Sequence, residues 1–164
     1  MKIQVPRVEN GTLIEKIDFD APFDGPVTVE QIVGSASGKM FDDINPATGQ
    51  VIARAHNRVE SPPDPAGHAE ILALRAAARV ISSPRLVECD LVVTLEPCAM
   101  CAQAIAHARI RRLIFGAYDP KGGGVEHGPR IFTQPTCHHR PEVVGGVEET
   151  AASQLLKDFF AARR

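Results

Sequence analysis

The stretch Leu91-Val92-Val93-Thr94-Leu95-Glu96-Pro97-Cys98-Ala99-Met100-Cys101 passes from one kind of structure into another. Leu91 to Leu95 is a continuous, β-rich run, the pattern of a strand covered on both faces. Glu96-Pro97 ends it, and Cys98 to Ala108 reads as a helix with Pro97 just before or within its first turn. A buried strand that feeds directly into a helix is half of a β-α-β unit, so this stretch decides the fold class.

The neighbouring segments extend the same grammar. Upstream, Asn45-Pro46-Ala47-Thr48-Gly49 reads as a turn and Val51 to Asn57 as a short strand. Ser61 to Gly67 contains Pro62, Pro63 and Pro65, which remove backbone donors and fix φ, so it is a loop that delivers His68 to the start of a helix. Ile71, Leu72, Leu74, Ala77, Ala78 and Ile81 then recur with the 3.6-residue period of a helix packing one face on a sheet. Downstream, Arg112 to Tyr118 is another buried strand, closed by Asp119-Pro120 and the glycines at Gly122 to Gly124. Loops from Gly128 to Pro141 lead to a short apolar Val143-Val144. A last helix runs from about Glu148 to Ala162, with Ala152, Leu155, Leu156 and Phe159 on its apolar face. Strand, helix, strand, helix, strand predicts an α/β fold whose pairing is largely parallel after the second helix.

The first 44 residues are less legible. Ile14 to Phe19 alternates weakly as a strand, Thr28 to Val33 has room for a turn or two of helix, and Gly34-Ser35-Ala36-Ser37-Gly38 breaks what precedes it. With 164 residues in all, the chain has the size of one ordinary domain, able to bury a core without disulfide staples. Residues 1–44 are therefore expected to be a divergent leading segment and residues 45–164 the functional domain. No apolar run approaches a membrane span, and the start Met1-Lys2-Ile3-Gln4-Val5-Pro6 lacks the apolar core of a secretory signal, which places the protein in the cytoplasm.

Four cysteines, two of them in Cys98-x-x-Cys101, are too few for a disulfide scaffold, and in a reducing compartment that spacing points to metal or redox chemistry. Cys89 reads as a buried residue at a strand edge. The net charge of −2 does not decide for or against nucleic acid. A local basic footprint would have to come from Arg109, Arg111 and Arg112 with Lys157, Arg163 and Arg164, unless these simply form a solvated face.

The chemistry follows from residue types at helix starts. A thiolate is the form that binds zinc, and unpaired N–H groups at a helix N-terminus stabilise the negative charge on Cys98, with Cys101 one turn on. His68, opening the other helix, presents an imidazole across the gap. Three ligands and an open fourth position fit a zinc ion that holds a water. Glu70, two residues after His68, can reach that water as a proton carrier without being a ligand. His-x-Glu together with Pro-Cys-x-x-Cys matches the known signature of zinc nucleobase deaminases. A competing arrangement joins Cys98 and Cys101 to Cys137 with His138 or His139 as a structural zinc site, leaving His68 as a helix cap or core residue.

Asn57, then Asp64 to Ile71, Val93 to Cys101 and Phe115 to Lys121, together with the tail Leu155-Leu156-Lys157-Asp158-Phe159-Phe160, resemble the bacterial tRNA adenosine deaminases, which convert a wobble adenosine to inosine. The resemblance runs from about Asn45 to Arg164. It implies a cytidine deaminase-like, three-layer α/β/α fold with a mixed, mainly parallel sheet of about five strands. It also implies that His68, Cys98 and Cys101 bind one Zn2+ per subunit and that Glu70 shuttles protons. Asn57 matches an asparagine that hydrogen-bonds the purine, Asp119 a position near the nucleotide backbone, and Phe160 one where the terminal helix borders the flipped-out nucleotide. The implied partners are a tRNA anticodon loop and a second copy of the chain in a homodimer, with no membrane.

The departure from that pattern is N-terminal. Where the family has a helix and then an interior strand, this chain reads Gly38-Lys39-Met40-Phe41-Asp42-Asp43-Ile44, and adjacent aspartates are poor residues for a strand buried on both faces. Either the first 44 residues supply a substitute strand or the sheet is incomplete. Two other functions stay open beside wobble deamination: a deaminase of a free base or nucleoside such as guanine, cytosine or cytidine, and a zinc-binding protein made inactive by the altered strand.

Overall fold

The computed structural model describes the backbone of residues 3–9, 12–19, 40–45, 50–60 and 62–161, and side chains from Ile52 onward. The helix turn expected at Thr28 to Val33, the break at Gly34 to Gly38, and Arg163 and Arg164 lie outside the described residues, as does the core of the Asn45–Gly49 turn.

Strands β1 (Ile3–Glu9) and β2 (Thr12–Phe19) pair antiparallel in a sheet of their own. The main sheet contains β3 (Met40–Asn45), β4 (Gln50–His56), β5 (Asp90–Leu95), β6 (Arg112–Ala117) and β7 (Glu142–Val144), in the spatial order β4-β3-β5-β6-β7. The β4-β3 and β3-β5 pairs are antiparallel, whereas β5-β6 and β6-β7 are parallel. Parallel pairing begins at β5-β6, where consecutive, adjacent strands are joined by a helical crossover that returns the chain to the same end of the sheet.

The substitute strand is therefore Met40–Asn45 itself. It lies inside the sheet, with Phe41, Asp42, Asp43 and Ile44 opposite Val93, Val92, Leu91 and Asp90. The sequence argued against an interior strand here because two aspartates adjoin. On the β4 side the register shifts between Asp43 and Ile44. The extra residue there is Ile52 of β4, while the pairing of β3 with β5 runs without a break, so backbone pairing on both sides holds the strand in the sheet.

Helices α1 (Ala69–Ile81), α2 (Ala99–Ala108) and α3 (Glu149–Ala161) complete the layers. On α1 the buried stripe is Ala69, Glu70, Ala73, Leu74 and Ala77, which shares Leu74 and Ala77 with the expected apolar face and is otherwise rotated toward the smaller residues. Small residues let α1 approach β3, β4 and α2 closely, which leaves Ile71 and Leu72 half-buried on its shoulder and Ile81 exposed. Leu91 and Val93 of β5 and Leu113 and Phe115 of β6 pack into one core with Ala73, Ala77 and Ile105. Each such large aliphatic contributes about 1.5–3 kcal/mol when fully buried.

Helix α3 covers the opposite face. Alternation along β6 turns Gly116 away from Phe115, and there it backs onto Ala152 in a smaller cluster with Ala117, Leu156 and Leu95. A Cβ at Gly116 would lie 2.7 Å from the Ala152 Cβ and 2.8 Å from the Thr94 carbonyl oxygen. Gly116→Ala is accordingly expected to destabilise the fold by about 1–3 kcal/mol, read as a lower urea midpoint with an unchanged slope. An unchanged midpoint would show that α3 does not seat on this face.

At the N-terminal ends of β5 and β6, two residues of the proposed basic footprint are engaged elsewhere. Arg111 holds Asp90 through two bonds of 2.9 Å, and buried Arg112 holds the same carboxylate at 2.6 Å. Asp90 thus buries the Arg112 guanidinium at the ends of these strands, whereas the Arg111 side chain keeps 43% of its surface exposed. Of the remaining candidates, Arg109 and Lys157 are exposed. Among the described residues no helix is long and apolar enough to cross a membrane.

Candidate functional site

Two helix starts meet at one point beyond the C-terminal end of β5. His68 is the N-cap of α1 and Cys98 the N-cap of α2, and neither side chain makes a capping hydrogen bond. His68 is thus not the helix-capping residue of the competing arrangement. Its Nδ1 lies 3.6 Å from the Cys98 Sγ and 3.6 Å from the Cys101 Sγ. The three ligand atoms fall within 4.8 Å of one another, and no other such group of three occurs among the described residues.

These distances fit a tetrahedral ion. Metal–sulfur bonds of about 2.3 Å and metal–nitrogen bonds of about 2.0–2.1 Å, at the tetrahedral angle, place sulfur and nitrogen about 3.6 Å apart. Three donors from two helix starts leave one corner of the tetrahedron to a water or substrate, the arrangement of a catalytic rather than a structural site. Cys137 takes no part: its thiol donates to the His139 carbonyl oxygen at 3.0 Å, and the His139 Nε2 bonds the Ile110 carbonyl oxygen at 2.7 Å.

The electrostatics prepare one thiolate. Cys98 is held down to about 5, first by the hydrogen bond from the Cys101 thiol, against the upward push of burial. The N–H groups of Cys101 and Met100 at the start of α2 and the neighbouring His68 add to that lowering. Cys101 is pushed up in turn, chiefly because its proton is the one given to Cys98, then by burial and by the Glu70 carboxylate beside it. That last contact places fully buried Glu70, on the first turn of α1, against Cys101.

Asn57 follows the end of β4, half-buried, with its Oδ1 accepting the Val59 N–H at 3.0 Å. The next residue, Arg58, donates its N–H to the Gly67 carbonyl oxygen at 2.8 Å, which ties Asn57's turn to the residue before His68. Asp119 is half-buried, and its Oδ1 accepts the N–H groups of Lys121 and Gly122 at 3.2 and 3.0 Å. Phe160 is exposed and meets buried Phe159 edge to face, with ring centroids 4.9 Å apart. The fold thus gathers His68, Glu70, Cys98 and Cys101, joins Asn57 to them through the backbone, and leaves Phe160 at the surface of α3.

Sequence reading missed Glu96. Its carboxylate is fully buried and receives the N–H groups of Val125, Glu126 and His127 on Oε1 at 3.1, 2.8 and 2.9 Å. Oε2 receives the Asp119 N–H at 3.1 Å and lies 2.7 Å from the His127 Nδ1. Burial alone would raise this carboxyl, but the hydrogen bonds from His127 and from the Asp119 and Glu126 backbone outweigh it and hold Glu96 below its ordinary value. A charged residue between a buried strand and a proline is a signal that could have marked it.

Comparison with known proteins places this arrangement among deaminases. Residues 36–164 match the MafB19-like deaminase family. The chain is 53% identical over 116 residues to a tRNA-specific adenosine deaminase of Agrobacterium fabrum, an overlap of 71% of this chain and 76% of that protein. Against a tRNA-specific adenosine deaminase of Aquifex aeolicus it is 44% identical over 117 residues, covering 71% and 76%. A structure from studies of A-to-I editing by tRNA:A34 deaminases at the wobble position of transfer RNA is 49% identical, with a TM-score of 0.69 over 72% of this chain and 84% of that one. A guanine deaminase structure from Nitrosomonas europaea, 24% identical, shares the fold with a TM-score of 0.67 over 81% and 80% of the two chains.

Proposed function

We propose, because the chain belongs to the MafB19-like deaminase family and to the tRNA-specific adenosine deaminases, that it converts adenosine to inosine at the wobble position of tRNA by zinc-dependent hydrolysis. The observation that carries this reading is the convergence of His68, Cys98 and Cys101 at zinc-binding spacing with the Glu70 carboxylate beside them. Residues 45–164 are the deaminase domain in this reading, and residues 1–44 lead into it. Activity as a homodimer in the cytoplasm, on an anticodon loop, rests on the family resemblance.

A zinc ion bound by these three residues would supply an activated water for attack on the ring carbon that carries the amino group. Glu70 does the proton work. Its carboxylate takes a proton from the water and delivers it to the departing amine, so one water is consumed and one ammonia released for each carbonyl formed. Complete burial keeps Glu70 out of bulk solvent, where its proton would otherwise exchange. Cys98 and Cys101 hold the ion as thiolates, and the N–H groups at the start of α2 help keep Cys98 deprotonated.

Asn57 selects the base. Because its Oδ1 is taken by the Val59 N–H, its amide NH2 turns outward as a donor to the purine. Asn57→Asp keeps the turn acceptor but presents an acceptor where the donor stood. It is expected to lower kcat/KM for RNA about 10- to 100-fold while leaving the melting temperature nearly unchanged. Wild-type kinetics in that variant would remove Asn57 from the substrate site.

The function is tested by offering purified protein an anticodon stem-loop with a wobble adenosine, and separately free adenine, guanine, cytosine and cytidine. Inosine from the RNA alone is the expected result. Ammonia from the small molecules alone would identify a free-base or nucleoside deaminase. Bound zinc with no product from any substrate would identify an inactive metal-binding protein.

A further inference from the structure

Beyond the proposed metal ligands and Glu70, another buried carboxylate, Glu96, stands two residues before Cys98. Glu96 is fully enclosed, and the hydrogen-bond partners of its carboxylate all belong to one loop: the backbone N–H groups of Asp119, Val125, Glu126 and His127 and the His127 imidazole. The loop has further ties to the same strand end. The Gly124 N–H donates to the Pro97 carbonyl oxygen at 2.8 Å, and Gly123 forms an isolated antiparallel bridge with Cys98. The fit leaves no spare room. A Cβ on Gly123 would meet the Glu96 carboxylate at 2.5 Å, and one on Gly124 would meet the Ala99 nitrogen at 2.5 Å.

From this geometry we propose that Glu96 is a positioning residue that holds the 119–127 loop as one wall of the substrate site, immediately beside the metal ligand Cys98. An anionic acceptor surrounded by several N–H donors fixes the course of a glycine-rich loop that would otherwise have little to order it. Asp119 then sets the local turn through its bonds to Lys121 and Gly122, so that loop shape passes from Glu96 to Asp119 and outward. The His127 ring closes over the carboxylate and also meets Tyr118 edge to face, with centroids 5.8 Å apart. Glu96 touches no reacting atom. Its effect is on where the loop meets the substrate, and so on binding more than on the chemical step. This part rests on the proposed RNA function.

The test is Glu96→Gln, which keeps the shape but removes the charge and sets an amide NH2 against N–H donors. Hydrogen exchange should become about tenfold faster at the amides of residues 119 and 125–127, with α1 exchange and zinc content as in wild type. On the anticodon stem-loop, KM should rise about tenfold and kcat stay within about threefold. Unchanged loop exchange would overturn the proposal. Acceleration that spreads equally through α1 would overturn it too, by showing a general structural role, as would a fall in kcat at constant KM.

If Glu96→Gln does not fold, His127→Phe decides, since it keeps a ring against Tyr118 and removes only the imidazole bond. Loop exchange about threefold faster supports the proposal, and no change contradicts it. If wild-type protein makes no inosine, the RNA function fails, while loop exchange and zinc content still test Glu96.

Discussion

Glu70→Gln is expected to bind zinc at the wild-type level and to lose turnover on the anticodon stem-loop by at least about 10²–10⁴-fold. The amide preserves volume in a fully buried position, so the packing of α1 should survive, but it cannot accept a proton from water and return it to the leaving amine. Glu70→Ala should lose turnover equally and retain the metal, because the proposed ligands are His68, Cys98 and Cys101. Zinc content and kcat measured on the same preparation separate the two roles. Loss of zinc in either variant would show that Glu70 supports the metal rather than the proton transfer.

Removing a ligand should have the opposite signature. Cys101→Ser is expected to lose zinc and activity together, and to lower the melting temperature. Cys101 is fully buried, and a bound zinc ion would allow two neighbouring sulfurs to be thiolates at once. Without it one proton stays between them, the condition that lowers Cys98 and raises Cys101. A metal present at about a thousand times its dissociation constant stabilises the folded state by about 4 kcal/mol, equivalent to roughly 10 °C in Tm for a domain of this size. Chelation of the wild-type protein should reproduce that shift, and added zinc should restore both Tm and turnover. A Cys101→Ser protein that keeps stoichiometric zinc would contradict the ligand assignment.

Much of this centre is readable from the chain because its chemistry is local. A ligand at a helix start is announced by what surrounds it: prolines before His68, and a continuous apolar strand ending in Glu96-Pro97 before Cys98. The strands β5 and β6 and the helices α1 and α2 lie within a residue or two of where periodicity puts them. Interactions between distant segments are less visible. That Asp90 captures Arg111 and Arg112 depends on the β5-β6 register, and a run of three arginines and one aspartate does not reveal it. The nest around Glu96 is made by backbone N–H groups some thirty residues downstream, which carry no side-chain signal at all. On α1 the expected face is right at Leu74 and Ala77, but Ala69, Glu70 and Ala73 are buried in place of Ile71, Leu72 and Ile81, because small residues let the helix approach the sheet closely. Residues 40–45 read poorly by composition, whereas their place in the sheet depends on backbone pairing with two neighbours.

The most direct measurement of the central claim is the fate of the wobble nucleoside when zinc-loaded protein acts on an anticodon stem-loop in heavy-oxygen water. Hydrolytic deamination predicts inosine at the wobble position only, with one heavy oxygen incorporated and one ammonia released per inosine. An unchanged adenosine, in a preparation that carries zinc and releases ammonia from free guanine or cytosine, would contradict it.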